Sequence, residues 1–121
     1  MAEILRGVGL TFDQQVAVGD SIYKPQKLRA DFVVRNLVWF PRGLAIESKW
    51  QDSAGSIDEK FPYLALNIQT RYTVPAIVIV AGGACRAGAL EWLRDQCDGE
   101  RLVDVFHLEE FISWAFRSEK R

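Results

Sequence analysis

Two short stretches decide the fold: Ala30-Asp31-Phe32-Val33-Val34 and Leu44-Ala45-Ile46-Glu47-Ser48-Lys49-Trp50. Both have the apolar, β-branched character of strands, and Pro41-Arg42-Gly43 between them is turn chemistry. Side chains alternate faces along a strand, so Glu47 and Lys49 share one face while Ile46, Ser48 and Trp50 take the other. Asp31 joins the charged face from the neighbouring strand. Two carboxylates and an ammonium on a sheet this apolar cost desolvation free energy that folding alone gives no reason to incur. A divalent metal is the simplest reason. A structural ion-pair network at the strand ends is the competing one.

Working outward, residues 1–8 have the apolar spacing of a short helix stopped by Gly7 and Gly9. Residues 12–18, 29–38 and 44–50 read as three strands of a meander with the acids at its centre. The polar stretch 51–56 is a loop, and Ser56 with Glu59 forms a capping box for a helix running to about residue 72. Phe61, Leu64, Leu66 and Ile68 supply its apolar face, and Pro62 falls in its first turn. The β-branched run 75–81 predicts a strand buried on both faces. Residues 87–97 read as a helix, 102–106 as a short strand and 108–117 as a closing helix with Phe111, Ile112, Trp114, Ala115 and Phe116 on its apolar side. A meander followed by alternating strands and helices implies an α/β fold, a mixed sheet flanked by helices on both faces, in a single domain over residues 1–121.

Asp31 and Glu47, with fifteen residues between them and Lys49 following as x-Lys, resemble the D-(x)n-(D/E)-x-K signature of the PD-(D/E)XK nuclease superfamily, whose fold is restriction-endonuclease-like. The resemblance covers most of the chain and includes Gln51, which many members show two residues after the lysine. Ala30 stands where the proline of the signature's name would be, a harmless change because that proline is not a ligand. The first helix is short, leaving Glu3 as the candidate for the further acid that many relatives carry there. The resemblance implies a Mg²⁺-dependent endodeoxyribonuclease, with Mn²⁺ able to substitute, of restriction, mobile-element or phage type. Asp31, Glu47 and the backbone carbonyl of Ser48 would hold the metal, an ion that takes only one or two protein carboxylates and fills its other positions with water and phosphate oxygens. Lys49 would orient or help deprotonate the attacking water and offset charge on the phosphate, and Gln51 would hold that water or a phosphate.

Ser53, Ser56 and Lys60 lie at the start of a helix whose positive end suits a phosphate, although simple helix capping is the favoured reading of these residues. Arg86, in the turn Gly82-Gly83-Ala84-Cys85-Arg86-Ala87-Gly88, is a candidate contact to the DNA backbone; the turn lacks the lysine and spacing of a nucleotide-binding loop. His107 reads as a helix-terminus residue because no nucleophile accompanies it.

A chain of 121 residues and net charge −1 does not coat nucleic acid through an overall basic field. Residues 1–50 nevertheless carry seven basic groups against five acidic ones, and Lys24, Lys27, Arg29, Arg35 and Arg42 are candidates for a local basic face. Cys85 and Cys97 form no C-x-x-C pair, and the longest apolar run, 74–81, is far below the roughly 20 residues of a membrane span. A reduced, cytoplasmic protein is the expectation. So short a chain grips few phosphates alone, which favours a homodimer or higher homo-oligomer on DNA. A Holliday-junction resolvase of the same fold, and a non-catalytic nucleic-acid-binding or assembly subunit that keeps the fold without the chemistry, are the rival readings.

Overall fold

The structure, a computed structural model, describes residues 1–23, 26–50, 58–81 and 87–117. Five strands form one mixed sheet in chain order: β1 (Phe12–Asp20), β2 (Lys27–Val34), β3 (Leu44–Trp50), β4 (Ala76–Ala81) and β5 (Leu102–His107). The first three pair antiparallel, as a meander must, and β3, β4 and β5 pair parallel through helical crossovers. Among the described residues four α-helices flank the sheet: α1 (Ala2–Gly7), α2 (Phe61–Thr70), α3 (Ala87–Asp95) and α4 (Leu108–Arg117).

Period-two alternation sorts the core into two layers. In β4, Ala76, Val78 and Val80 point to a cluster with Phe61, Leu64, Ala65 and Ile68 of α2 and Leu93 of α3. Ile77 and Ile79 point the other way, to Leu5 of α1 and Phe111 and Ala115 of α4. These five β4 residues are all buried, as a central strand in a parallel arrangement requires, and each fully buried Ile or Val contributes roughly 1.5–3 kcal/mol of transfer free energy. The helices therefore flank both faces, as the residue pattern predicts.

The sequence expectations are refined at four places. β2 ends at Val34, four residues early, because Asn36 leaves the ladder to bond Thr11 N at 2.9 Å and Gly9 O at 3.0 Å, which puts Val38 and Trp39 in solvent. α2 begins at Phe61 after a 3₁₀ turn, Asp58–Lys60; Ser56, its expected cap, lies outside the described residues. Its apolar stripe is Phe61, Leu64, Ala65 and Ile68, and Leu66 is exposed because 3.6 residues per turn carry it to the outer side. Among the described residues the expected basic face is reduced to Arg29, which lines a pocket beside Asp31: Lys27 pairs with Asp20 at 3.3 Å, Arg35 pairs with Asp13 at 3.1 Å, and Arg42 lines a separate groove with Trp39 and Pro75. Lys24 lies outside the described residues.

β1 and β2 carry a feature with no glycine or proline to announce it. Their ladder runs Phe12↔Val34, Asp13↔Val33, Gln14↔Phe32 and resumes at Val16↔Ala30, skipping the pair Gln15 with Asp31. Gln15 has φ of 52°, a left-handed backbone uncommon outside glycine. The alternation reverses phase there in both strands: Phe12 and Phe32 face the α1/α4 layer, whereas Val16, Val18, Leu28 and Ala30 face the α2/α3 layer.

Further along β1, Gly19 at φ of +136° sits at a second irregularity, where a Cβ would strike the Arg71 carbonyl. That close approach lets Thr73 N donate to Val18 O at 2.8 Å, docking the segment after α2 on the open edge of β1. Gly19→Ala is expected to lose more than about 1 kcal/mol of stability, measured by urea unfolding, because it combines a disfavoured φ with a backbone collision.

Candidate metal and phosphate site

The register of β2 and β3 brings the two acids together. The pairs Val34↔Leu44, Val33↔Ala45 and Phe32↔Ile46 place Asp31 opposite Glu47 at the next step, and there the ladder stops. Directly opposed residues of an antiparallel pair share a face with Cβ atoms about 4.5–5.5 Å apart, close enough for two carboxylates to reach one cation and for like charges to repel. Side chains take over from the missing ladder bonds: Ser48 N donates to Asp31 Oδ2 at 2.9 Å, and Asp31 N reaches Glu47 Oε1 at 3.5 Å. Each strand's acid is thus held by the other strand's backbone.

The face they share belongs to the α2 side, with Ala45 and Val33. Asp31, Glu47 and Lys49 line one pocket of about 230 Å³ with Leu28 and Arg29 of β2, Lys60, Tyr63, Leu64 and Asn67 from the α2 segment, and Tyr72 beyond it. Lys60, Tyr63 and Asn67 recur at i, i+3 and i+7, a polar stripe beside the apolar one. Of the sequence-derived candidates the structure brings together Asp31, Glu47, Lys49 and Lys60, with the Ser48 backbone alongside. Gln51, Ser53, Ser56 and Arg86 lie outside the described residues. Glu3 does not join them, because α1 packs through Leu5 on the opposite layer and leaves Glu3 exposed. Among the described residues no group of three or more His, Cys, Asp or Glu side chains is gathered. His107 ends β5, its N–H donating to Glu110 Oε1 at 2.8 Å, a helix-terminus role.

Tyr63, Asn67 and Tyr72 are site residues that the motif reading passes over. Tyr72 is the most consequential: its hydroxyl donates to Glu47 Oε2 from a buried position. The Lys60-Tyr63-Asn67 spacing was a signal available in the sequence; the reach of Tyr72 was not, since it depends on where the chain turns after α2. Asn67 Oδ1 accepts from Ile22 N at 3.0 Å, which fixes its amide orientation. Its Nδ2 is then buried without a partner among the described residues, a donor left for an acceptor that the described chain does not supply.

Glu47 is 2 % exposed. Burial pushes its carboxyl up from 4.5 to about 7; the Tyr72 hydroxyl and the Lys49 charge pull it down, and the Asp31 charge adds to the rise. Burial, and then the Glu47 charge, push the Tyr72 phenol well above its usual range, so it stays a donor. No ion pair among the described residues joins Lys49 to Asp31 or Glu47, so its ammonium acts on Glu47 across a gap rather than by contact. This disfavours a tight structural ion-pair network as the reason for the three charges.

With this geometry established, comparison with known proteins is decisive at the level of family. A family model described as PD-(D/E)XK nuclease superfamily domain matches residues 1–119. The chain belongs to the PD-(D/E)XK nuclease superfamily. Its mixed five-stranded sheet with four helices agrees with the restriction-endonuclease-like fold, and a nuclease domain of this superfamily acts on nucleic acid. No curated protein and no solved structure matches the chain. Among the described residues no helix is long and apolar enough to cross a membrane.

Because the native pKa of Glu47 lies above its ordinary value, the folded state binds more protons than the unfolded state between pH 4.5 and about 7. The contribution of Glu47 to the stability of the metal-free protein is therefore full below that window and falls by roughly 3 kcal/mol as pH rises through it. Urea unfolding across this range should show the slope, and Glu47→Gln, with no proton to lose, should flatten it and leave the metal-free protein more stable than wild type at pH 8.

Proposed function

We propose that the chain is a Mg²⁺-dependent endodeoxyribonuclease of restriction, mobile-element or phage type, hydrolysing DNA phosphodiester bonds at the Asp31–Glu47 pocket. The observation that carries this reading is the register-opposed pair of acids at the broken ladder, on the floor of a pocket that also holds Lys49 and Lys60. The donor set fits a hard cation. Two carboxylates, one of them buried and forced up in pKa with no cation in contact with it among the described residues, suit Mg²⁺, or Mn²⁺ in its place. The Ser48 carbonyl is a further oxygen donor, because a strand residue's C=O points to the same neighbour as its N–H, here the gap toward Asp31. When bound, such an ion polarises the phosphate and makes water a better nucleophile.

The chain's own groups do the rest. Asp31 and Glu47 would hold the cation, and the backbone bonds that fix both carboxylates limit the reorganisation needed during reaction. Lys49, not neutralised by contact with either acid, is placed to orient the water and to offset charge that accumulates on the phosphate. Lys60 and Arg29 supply positive charge on the pocket wall, and Asn67 Nδ2, which has no partner among the described residues, suits a phosphate or water oxygen. One site cuts one strand, so a two-fold dimer on DNA would present two sites to the antiparallel strands.

Plasmid, linear duplex and a four-way junction, each incubated with Mg²⁺, Ca²⁺ or EDTA, test this directly. Cleavage with Mg²⁺ alone is expected, and Asp31→Asn and Glu47→Gln should each abolish it; either variant cutting at the wild-type rate refutes the ligand assignment. Lys49→Ala should keep metal and DNA binding but lose about 10²- to 10⁴-fold in single-turnover rate. Exclusive cutting of the junction would favour a resolvase, and no cutting of any substrate a non-catalytic subunit.

A further inference from the structure

Tyr23 and Tyr63 form a parallel pair, ring centroids 5.4 Å apart and planes 15° apart. Tyr63 is the inner ring. It lines the carboxylate pocket, and its hydroxyl is bonded to Ser21 Oγ at 2.6 Å, with Ser21 wholly buried. The same Ser21 Oγ accepts from Tyr23 N at 3.0 Å, so one hydroxyl sets both the inner ring and the backbone that carries the outer one. Ile22 N bonds Asn67 Oδ1, and the end of the β1–β2 hairpin is thereby fastened to α2 beside the site.

Tyr23 is the outer ring and remains 66 % exposed. A single exposed aromatic is ordinary on a protein surface, so it is the position of the ring that gives its free face a use. This one covers Tyr63 with one face and leaves the other to solvent, next to a pocket whose wall carries the exposed cations Arg29 and Lys60. The pocket itself, at about 230 Å³, suits a phosphodiester group and a few waters, and falls below the roughly 300–1,000 Å³ of sites that enclose a whole drug-sized ligand. A base attached to a phosphate in that pocket must lie outside it.

We propose that the outer face of Tyr23 is a stacking platform for an unpaired nucleobase of the strand whose phosphate occupies the pocket. Bases inside a duplex already have both faces covered by their neighbours, so only a single-stranded or locally unpaired nucleotide can use such a plate. The preferred substrates are then nucleic acids with unpaired, or locally unpaired, bases at or next to the scissile phosphate, a duplex being used where a base pair opens. This rests on the nuclease reading of the pocket and adds a base subsite to it.

A short single-stranded oligonucleotide carrying 2-aminopurine at successive positions, titrated with the whole protein in Ca²⁺ and separately in EDTA, reads stacking without cleavage. One position should be quenched by wild type and by Tyr23→Phe, and by neither Tyr23→Ala nor Tyr23→Leu, which keeps an apolar cover over Tyr63. Affinity for the oligonucleotide should fall about ten- to a hundredfold in the Ala and Leu variants, with duplex affinity unchanged. An abasic site at the quenched position should cost wild type the same factor and cost those variants nothing more. Unchanged affinity and unchanged quenching in Tyr23→Leu would overturn the platform, as would equal losses for single strand and duplex. Quenching in a protein that cleaves nothing would leave the platform standing and sink the nuclease reading. Mg²⁺-dependent cleavage with no Tyr23 effect would do the reverse.

Discussion

Two like charges placed opposite each other in an antiparallel ladder repel, and the structure is organised around that repulsion at Asp31 and Glu47. The three pairs that end at Phe32↔Ile46 determine the next step, and hydrogen bonding between the strands changes there from backbone ladder to side-chain clamp. On the other side of Asp31, the ladder to β1 is interrupted at Gln15, whose left-handed φ reverses which residues face which layer. Asp31 therefore sits at a double discontinuity, with a peptide neighbourhood freed from regular pairing on both sides. At Asp31 the sheet has opened where oxygen ligands are needed.

Burial of Glu47 makes this site an energetic liability in the metal-free protein. A carboxylate that is 2 % exposed and raised to about 7 stores free energy that a cation can release, whereas apolar packing at the same place would serve stability better. Tyr72 limits the cost by donating to Glu47 Oε2, and Gly19 contributes at a distance, because its missing Cβ lets the Arg71–Thr73 segment dock on β1. Stability and function are coupled through these few residues, a recurrent pattern where a site needs an environment that folding does not favour.

Much of this was legible in the sequence, and the reasons are specific. The β-branched run in β4, the alternation in β3 and the amphipathic α4 encode their elements through burial, and the D-(x)n-E-x-K spacing encodes the acids through chemistry. Strand ends were less legible: β2 stops at Val34 because the Asn36 side chain bonds Thr11 and Gly9, partners twenty-five and twenty-seven residues away. Leu66 was assigned to the core of α2 on composition, where the strict helical period places it outside. Tyr72 and Gln15 were not legible at all. The reach of one and the left-handed backbone of the other are set by tertiary contacts, with no local residue preference to mark them. Of the basic residues grouped by sequence proximity, Lys27 and Arg35 pair with acids on the adjacent strand and Arg42 lines a separate groove, while Arg29 stays on the wall of the site.

The central claim is that Asp31 and Glu47 form one cation site whose buried member must lose a proton to bind. Calorimetric titration of Mn²⁺ into the protein at pH 6, in two buffers of different ionisation enthalpy, measures binding and proton release together. The account predicts one site, release approaching one proton per metal at pH 6 and vanishing well above pH 7, and no binding to the Asp31→Asn, Glu47→Gln double variant. Binding that persists in the double variant, or wild-type binding at pH 6 with no proton released, would contradict it.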